Sequence, residues 1–379
     1  MKCIGLDAST CACVELAGDK VLTSLEELIA PPPAKTWLAP GFIDLQVNGF
    51  AGVDYCNPAT PIEEIGRSLD VLFTTGVTRL FPTLITSSPE ATLGVLRNLA
   101  RARRELPHGR ALEGFHVEGP HISPHDGPRG AHPQRWVRPP DIHEFERWQE
   151  VAEGHVRLVT ISPEWPESPR YIEHLVGHGV VVAIGHLQAT SAQIEDAVRA
   201  GATLSTHLGN GAGWELPRHP NYLLQQMAED RLAASLIVDG IHLDRDFLNV
   251  ALRAKGLERC VLITDAVTPA CSEPGPYMLG EIEVTLRPEG RVTLRGSDRL
   301  AGSALRMDRG IENLMRLANL SLAEAVTLAT RNPARVGRIA DRRRGLQPGE
   351  RADVVEFEYD AAAKSIKVLR TWLVGERAF

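Results

Sequence analysis

The 379-residue sequence lacks the marks of a membrane or secreted protein. No run approaches the roughly 20 apolar residues that span a bilayer. The N-terminal stretch has one lysine but is soon interrupted by Asp7 and Glu15, so it does not read as a signal peptide. Six cysteines (Cys3, Cys11, Cys13, Cys56, Cys260 and Cys271) form no CxxC pair and no framework spacing, which argues against a disulfide scaffold. Free thiols and a cytoplasmic location are expected. An excess of basic charge is also missing. The formal net charge of -7 argues against nonspecific nucleic-acid binding, although a few arginines could still build a local anion site. There is no biased tract, and no Gly-rich phosphate fingerprint follows any apolar run.

What the chain does have is 43% hydrophobic residues and a regular alternation of short β-rich runs with helical stretches. Strand candidates fall at 41–49, 77–86, 112–120, 156–164, 179–186, 202–210, 233–242 and 259–266. Each is a nearly continuous run rich in Val, Ile and Leu, the pattern of strands buried on both faces. Segments such as 61–76 and 191–201 read as helices between them, the latter opened by Ser191 and closed by Gly201. Eight such units within roughly 230 residues predict an α/β fold, a (β/α)₈ TIM-type barrel. A doubly wound open sheet is the competing architecture, disfavoured by the missing fingerprint.

The two ends differ from the middle. Residues 1–39 and 340–379 lack long helical segments, and 353–360 and 364–376 read as strands. Both termini are expected to form a small β-sandwich-like domain beside a barrel spanning 40–339. The tract 31–35 (PPPAK) marks the entry into the barrel. A hairpin is expected at 281–294, turning at Pro288-Glu289-Gly290.

Polar residues end several apolar runs, where a barrel places its active site. Glu118 closes the third, His186 the fifth, His207 the sixth and Asp265 the eighth. They stand 68, 21 and 58 positions apart, too scattered for a helix-borne motif. Only a closed barrel of parallel strands would gather them at one mouth. Two imidazoles and one carboxylate match the ligand set of a catalytic zinc with a position left for water. Asp265 would then be the free carboxylate that handles protons. His108, His143, His155, His174 and His178 lie away from the strand ends and read as ordinary structural histidines.

PGFIDLQVNG, HVEGPHISPHDGPRGAHP, GHLQAT, THLGN, DGIHLD, TDAV and LAGSAL occur in the order seen in the N-acetylglucosamine-6-phosphate deacetylases of the amidohydrolase superfamily. The sequence resembles that family over about residues 38–335. The resemblance implies deacetylation of a phosphorylated acetylated amino sugar by a homodimer. It carries metal binding to Glu118, His186 and His207, general base and acid chemistry to Asp265, and carbonyl polarisation to His132. It also places sugar contacts at Gln46, Asn210 and Gly211, and phosphate contacts, shared with the partner subunit, at Arg218 and His242.

Departures from the family's usual pattern sharpen the expectation. Gln46 and Asn48 stand where many superfamily members carry an HxH pair and bind a second metal; amides are poor zinc ligands. One divalent ion per subunit is therefore expected, zinc ahead of iron, manganese or cobalt. The loop around Arg218, with Gly209 and His219, is unlike the usual one, so the phosphate contact is open between Arg218 and His219. The Pro/Gly-rich loop 121–135 is expected to cover substrate. His121 and His125 within it are not expected at the metal. Two alternatives stay open: an amidohydrolase acting on an unphosphorylated or different N-acyl amino sugar, and an inactive barrel serving as a scaffold.

Overall fold

The eight apolar runs become eight parallel strands that neighbour one another in chain order. They are β1 (Phe42–Val47), β2 (Val77–Leu84), β3 (Phe115–Glu118), β4 (Val156–Ile161), β5 (Val181–Ile184), β6 (Leu204–Ser205), β7 (Ala233–Ile237) and β8 (Cys260–Ile263). The computed structural model describes residues 1–29, 36–342 and 344–379; the expected entry at 31–35 lies outside the described residues. Every residue of β1 and β2 is buried, as continuous apolar runs between an inner core and an outer ring of helices should be. The circle closes where Val47 bridges Ala266 in parallel and the Asp265 N–H donates to the Gln46 carbonyl at 3.0 Å. A (β/α)₈ barrel is the result.

Helix Ser191–Ala200 shows how local sequence sets an element. Ile194, Ala197 and Val198 share one buried face at helical spacing. The cap lies one residue earlier than the sequence suggested: Thr190 and Gln193 form a reciprocal capping box, worth about 1 kcal/mol. Gly201, in the left-handed region at φ 115°, ends the helix.

Strands from both termini share one seven-stranded sheet. Thr36–Pro40 lies at its centre, parallel to Lys2–Asp7 and antiparallel to Val354–Asp360. The expected hairpin after β8 is present as Ile282–Leu286 paired with Val292–Leu294, and Gly275–Leu279 adds a third antiparallel strand. This insert buries Leu279, Val284, Leu286 and Val292 together with Val267, Ala301 and Cys56. Among the described residues no helix is long and apolar enough to cross a membrane.

Candidate active site

The carboxyl ends of the barrel strands present their polar residues to one cavity. It is lined by Glu118, His132, His186, His207, Asn210, Gly211, His242 and Asp265, with an apolar share from Ile85, Ala131, Leu279 and Ala301. Glu118 is the last residue of β3, while His186, His207 and Asp265 each follow their strand by two residues. These last three adopt left-handed backbone conformations, with φ of 49°, 31° and 51°. Side chains other than Gly, Asn and Asp rarely accept that region, and such strain is concentrated at functional sites. The turn ends each strand and swings its side chain inward. It also explains why the sixth run, expected over 202–210, is a strand only at Leu204–Ser205.

Donor atoms of Glu118, His186 and His207 all lie within 4.8 Å of one another. His207 Nε2 is 2.9 Å from Glu118 Oε1 and 3.1 Å from His186 Nε2. The Pro128 carbonyl, 2.9 Å from His186 Nδ1, can only accept, so Nδ1 carries the proton and the Nε2 lone pair faces the cluster. Two buried imidazole nitrogens and a carboxylate converging this closely fit a divalent cation. Burial alone would raise Glu118, but the adjacent His186 and His207 rings hold it well below the ordinary carboxylate range. Burial likewise opposes a charge on His207, yet the adjacent Glu118 lifts it above the usual histidine value.

Gln46 sits beneath this cluster rather than at the cavity wall. Its amide donates to Glu118 Oε1 at 2.9 Å and to Asp265 Oδ1 at 3.0 Å. Asn48 Nδ2 donates to the same Asp265 oxygen at 2.8 Å. Both N–H groups of Gln46 are thereby spent on protein carboxylates, which leaves it poorly placed for the sugar contact expected of it. Burial, then the nearby Glu118, push Asp265 up to about 6.

His132 is fixed from behind by a residue that sequence reasoning missed. The Thr86 N–H donates to His132 Nδ1 at 3.3 Å, and the Thr86 hydroxyl lies 2.8 Å from the same nitrogen. A backbone N–H can only donate, so Nδ1 accepts and Nε2 carries the hydrogen. That Nε2 lies 3.9 Å from Glu118 Oε2. Burial and the neighbouring His186 keep the ring's affinity for a second proton well below normal, so it stays neutral. His242, also in the wall, is held by Asp239 at 2.7 Å, another residue that was quoted in a motif but given no role.

Asn210 lines the cavity with its Nδ2 buried and unpartnered among the described residues. Gly211 is required for space: a Cβ there would stand 2.8 Å from His186 Nδ1, at a φ of 58°. Arg218 is exposed and does not line the cavity. Loop 121–135 does reach the site, through Gly130, Ala131 and His132. His121 is buried against Trp148 and bonded to the Arg138 carbonyl, and it is not part of the Glu118–His186–His207 cluster.

Residues 37–377 match the amidohydrolase family. The chain belongs to that family. It is 33% identical over 350 residues to the N-acetylglucosamine-6-phosphate deacetylase of Bacillus subtilis (strain 168), covering 92% of this chain and 86% of that one. It is 31% identical to an N-acetylgalactosamine-6-phosphate deacetylase of Escherichia coli O157:H7, covering 90% and 87%. Among solved structures, a mutant N-acetyl-D-glucosamine-6-phosphate deacetylase of Mycobacterium smegmatis, in complex with N-acetyl-D-glucosamine-6-phosphate, superposes with a TM-score of 0.88 at 30% identity, covering 99% and 97%. The amidohydrolase barrel and its strand-end cluster thus agree with the family expected from the motifs.

Proposed function

We propose that this amidohydrolase hydrolyses N-acetyl-D-glucosamine 6-phosphate to D-glucosamine 6-phosphate and acetate. The observation that carries the reading is a buried Glu118–His186–His207 cluster with Asp265 tied to it through Gln46. Glu118, His186 and His207 would hold one divalent ion, which supplies Lewis-acid activation of water and of the acyl oxygen. Zinc suits two imidazoles and a carboxylate best, ahead of iron, manganese or cobalt. Gln46 and Asn48 occupy the place of a second ligand pair and satisfy the carboxylates by hydrogen bonds, which favours one ion.

The remaining steps belong to side chains of this chain. Asp265 accepts a proton from the attacking water and returns it to the amide nitrogen, making the amine a competent leaving group. His132 donates from Nε2 to the acyl oxygen as negative charge develops there, a contribution on the order of 3 kcal/mol. Gln46 and Asn48 act as positioning residues that hold the Asp265 carboxylate. Asn210, Gly211 and His242 are the groups available to the sugar. Arg218, exposed on its own subunit, suits a phosphate contact made in a homodimer.

Acetate release should be measured across acetylated amino sugars, with and without the 6-phosphate and in gluco and galacto forms. Turnover confined to the phosphorylated gluco sugar supports the reading. Preference for the galacto epimer or for unphosphorylated sugars would redirect it, and no release from any of them by metal-loaded protein would end it.

A further inference from the structure

We propose that Ile85, Ala131, Leu279 and Ala301 form an acyl pocket that limits this enzyme to short acyl groups; the inference rests on the deacetylase reading above. Asn210 and His242 bring polar groups to the cavity, whereas these four residues, with Ile237 and Leu300, contribute hydrocarbon. Two of the four adjoin the His132 support in the chain. Ala131 precedes His132 in the chain, and Ile85 precedes Thr86, the residue that binds the His132 ring. Ile85 and Ala131 pack against the cluster that contains Leu279 and Ala301, so the four residues share one wall.

An amide carbonyl carbon lies about 1.5 Å from the first carbon of its acyl chain. A carbonyl oxygen held by His132 Nε2 therefore brings that carbon to the same wall. In hydrolysis the water oxygen bonds to the acyl carbon, the C–N bond breaks, one water proton goes to nitrogen through Asp265, and the second passes from the new carboxylic acid to the freed amine, leaving a carboxylate and an ammonium group. Throughout, the acyl chain stays against these four side chains. Val267, Val284, Leu286 and Val292 are buried in the same cluster, so the wall has little room to retreat. Close-packed interiors resist an added methylene, and overpacking forces side chains from their preferred rotamers. Leu279 and Ala301 belong to the three-stranded insert and the segment that follows it, which gives this appendage a part in substrate selection.

The test is a series of N-formyl, N-acetyl, N-propionyl and N-butyryl glucosamine 6-phosphates with metal-loaded enzyme. For wild type, kcat/KM for the butyryl sugar should fall at least about 100-fold below that for the acetyl sugar, the scale expected of a filled hydrophobic pocket. Leu279→Ala should raise the butyryl-to-acetyl ratio at least about 10-fold. Should that variant fold poorly, Ala131→Val provides the opposite change: the acetyl-to-formyl ratio should drop about 10-fold. Calorimetry on the Asp265→Asn variant should show the same order of binding without turnover. A flat wild-type profile from acetyl to butyryl overturns the acyl pocket alone. So do unchanged ratios in both variants. No release from any member overturns the deacetylase reading and this inference with it.

Discussion

The two ends of the barrel both bury charge, but they balance it differently. At the amino end, Arg79 of β2 is wholly buried and meets Asp353 and Asp341, each at 2.7 Å, with Glu113 at 3.4 Å. Arg351 also pairs with Asp353 at 2.7 Å. Burial would lower the affinity of Arg79 for its proton, but Asp353 and Glu113 reverse the effect. This end is an ion network whose cations come from the chain, and it ties β2 to the segment preceding Val354–Asp360. At the carboxyl end, Glu118 and Asp265 are bridged by the neutral amide of Gln46, and the nearby imidazoles turn their Nε2 atoms toward a common point. The first arrangement supplies its own cations. The second has the donors to hold a cation from outside. Stability and chemistry have been assigned to opposite ends of one barrel, as the parallel fold allows.

Breaking the open end should have the largest effect. His207→Ala or His186→Ala should lose the metal, by elemental analysis of purified protein, and at least about a thousandfold in turnover. Asp265→Asn should retain metal while turnover falls roughly 100- to 10,000-fold; near-normal turnover would remove Asp265 from the chemistry. At the closed end, Arg79→Ala should cost about 3–5 kcal/mol in denaturant unfolding, because Asp353 loses a buried partner. The metal stoichiometry of the molecules that remain folded should not change.

Two smaller effects sharpen the contrast. A divalent ion at 100 times its Kd should stabilise the metal-free protein by about 2.7 kcal/mol, and His207→Ala should abolish that gain. Gln46→Leu removes the donors that favour an ionised Asp265. Its carboxyl should then titrate higher than in wild type, moving the acidic limb of kcat/KM upward by about one pH unit. An unmoved limb would show that Gln46 does not govern that ionisation.

Much of this was legible in the chain. Strands buried on both faces leave continuous apolar runs, so all eight could be located, and Glu118, His186, His207 and Asp265 stood out as polar residues ending them. The sixth run misled on length because a left-handed turn at a histidine has no marker in sequence comparable to glycine. Arg79 left a signal that was passed over, a charged residue inside an otherwise apolar strand. Thr86 left none: its work is done partly by a backbone N–H, which every residue but proline carries. Arg218 was expected at the phosphate, yet it is exposed and does not line the cavity.

The sequence by itself determined the barrel and the donor types gathered at its mouth, because periodicity and donor chemistry are local properties. Only the tertiary structure decided which nitrogen of His132 and His186 bears hydrogen, and that Gln46 serves two carboxylates. Those facts depend on partners tens to hundreds of residues away, and such partners meet only when the strands close.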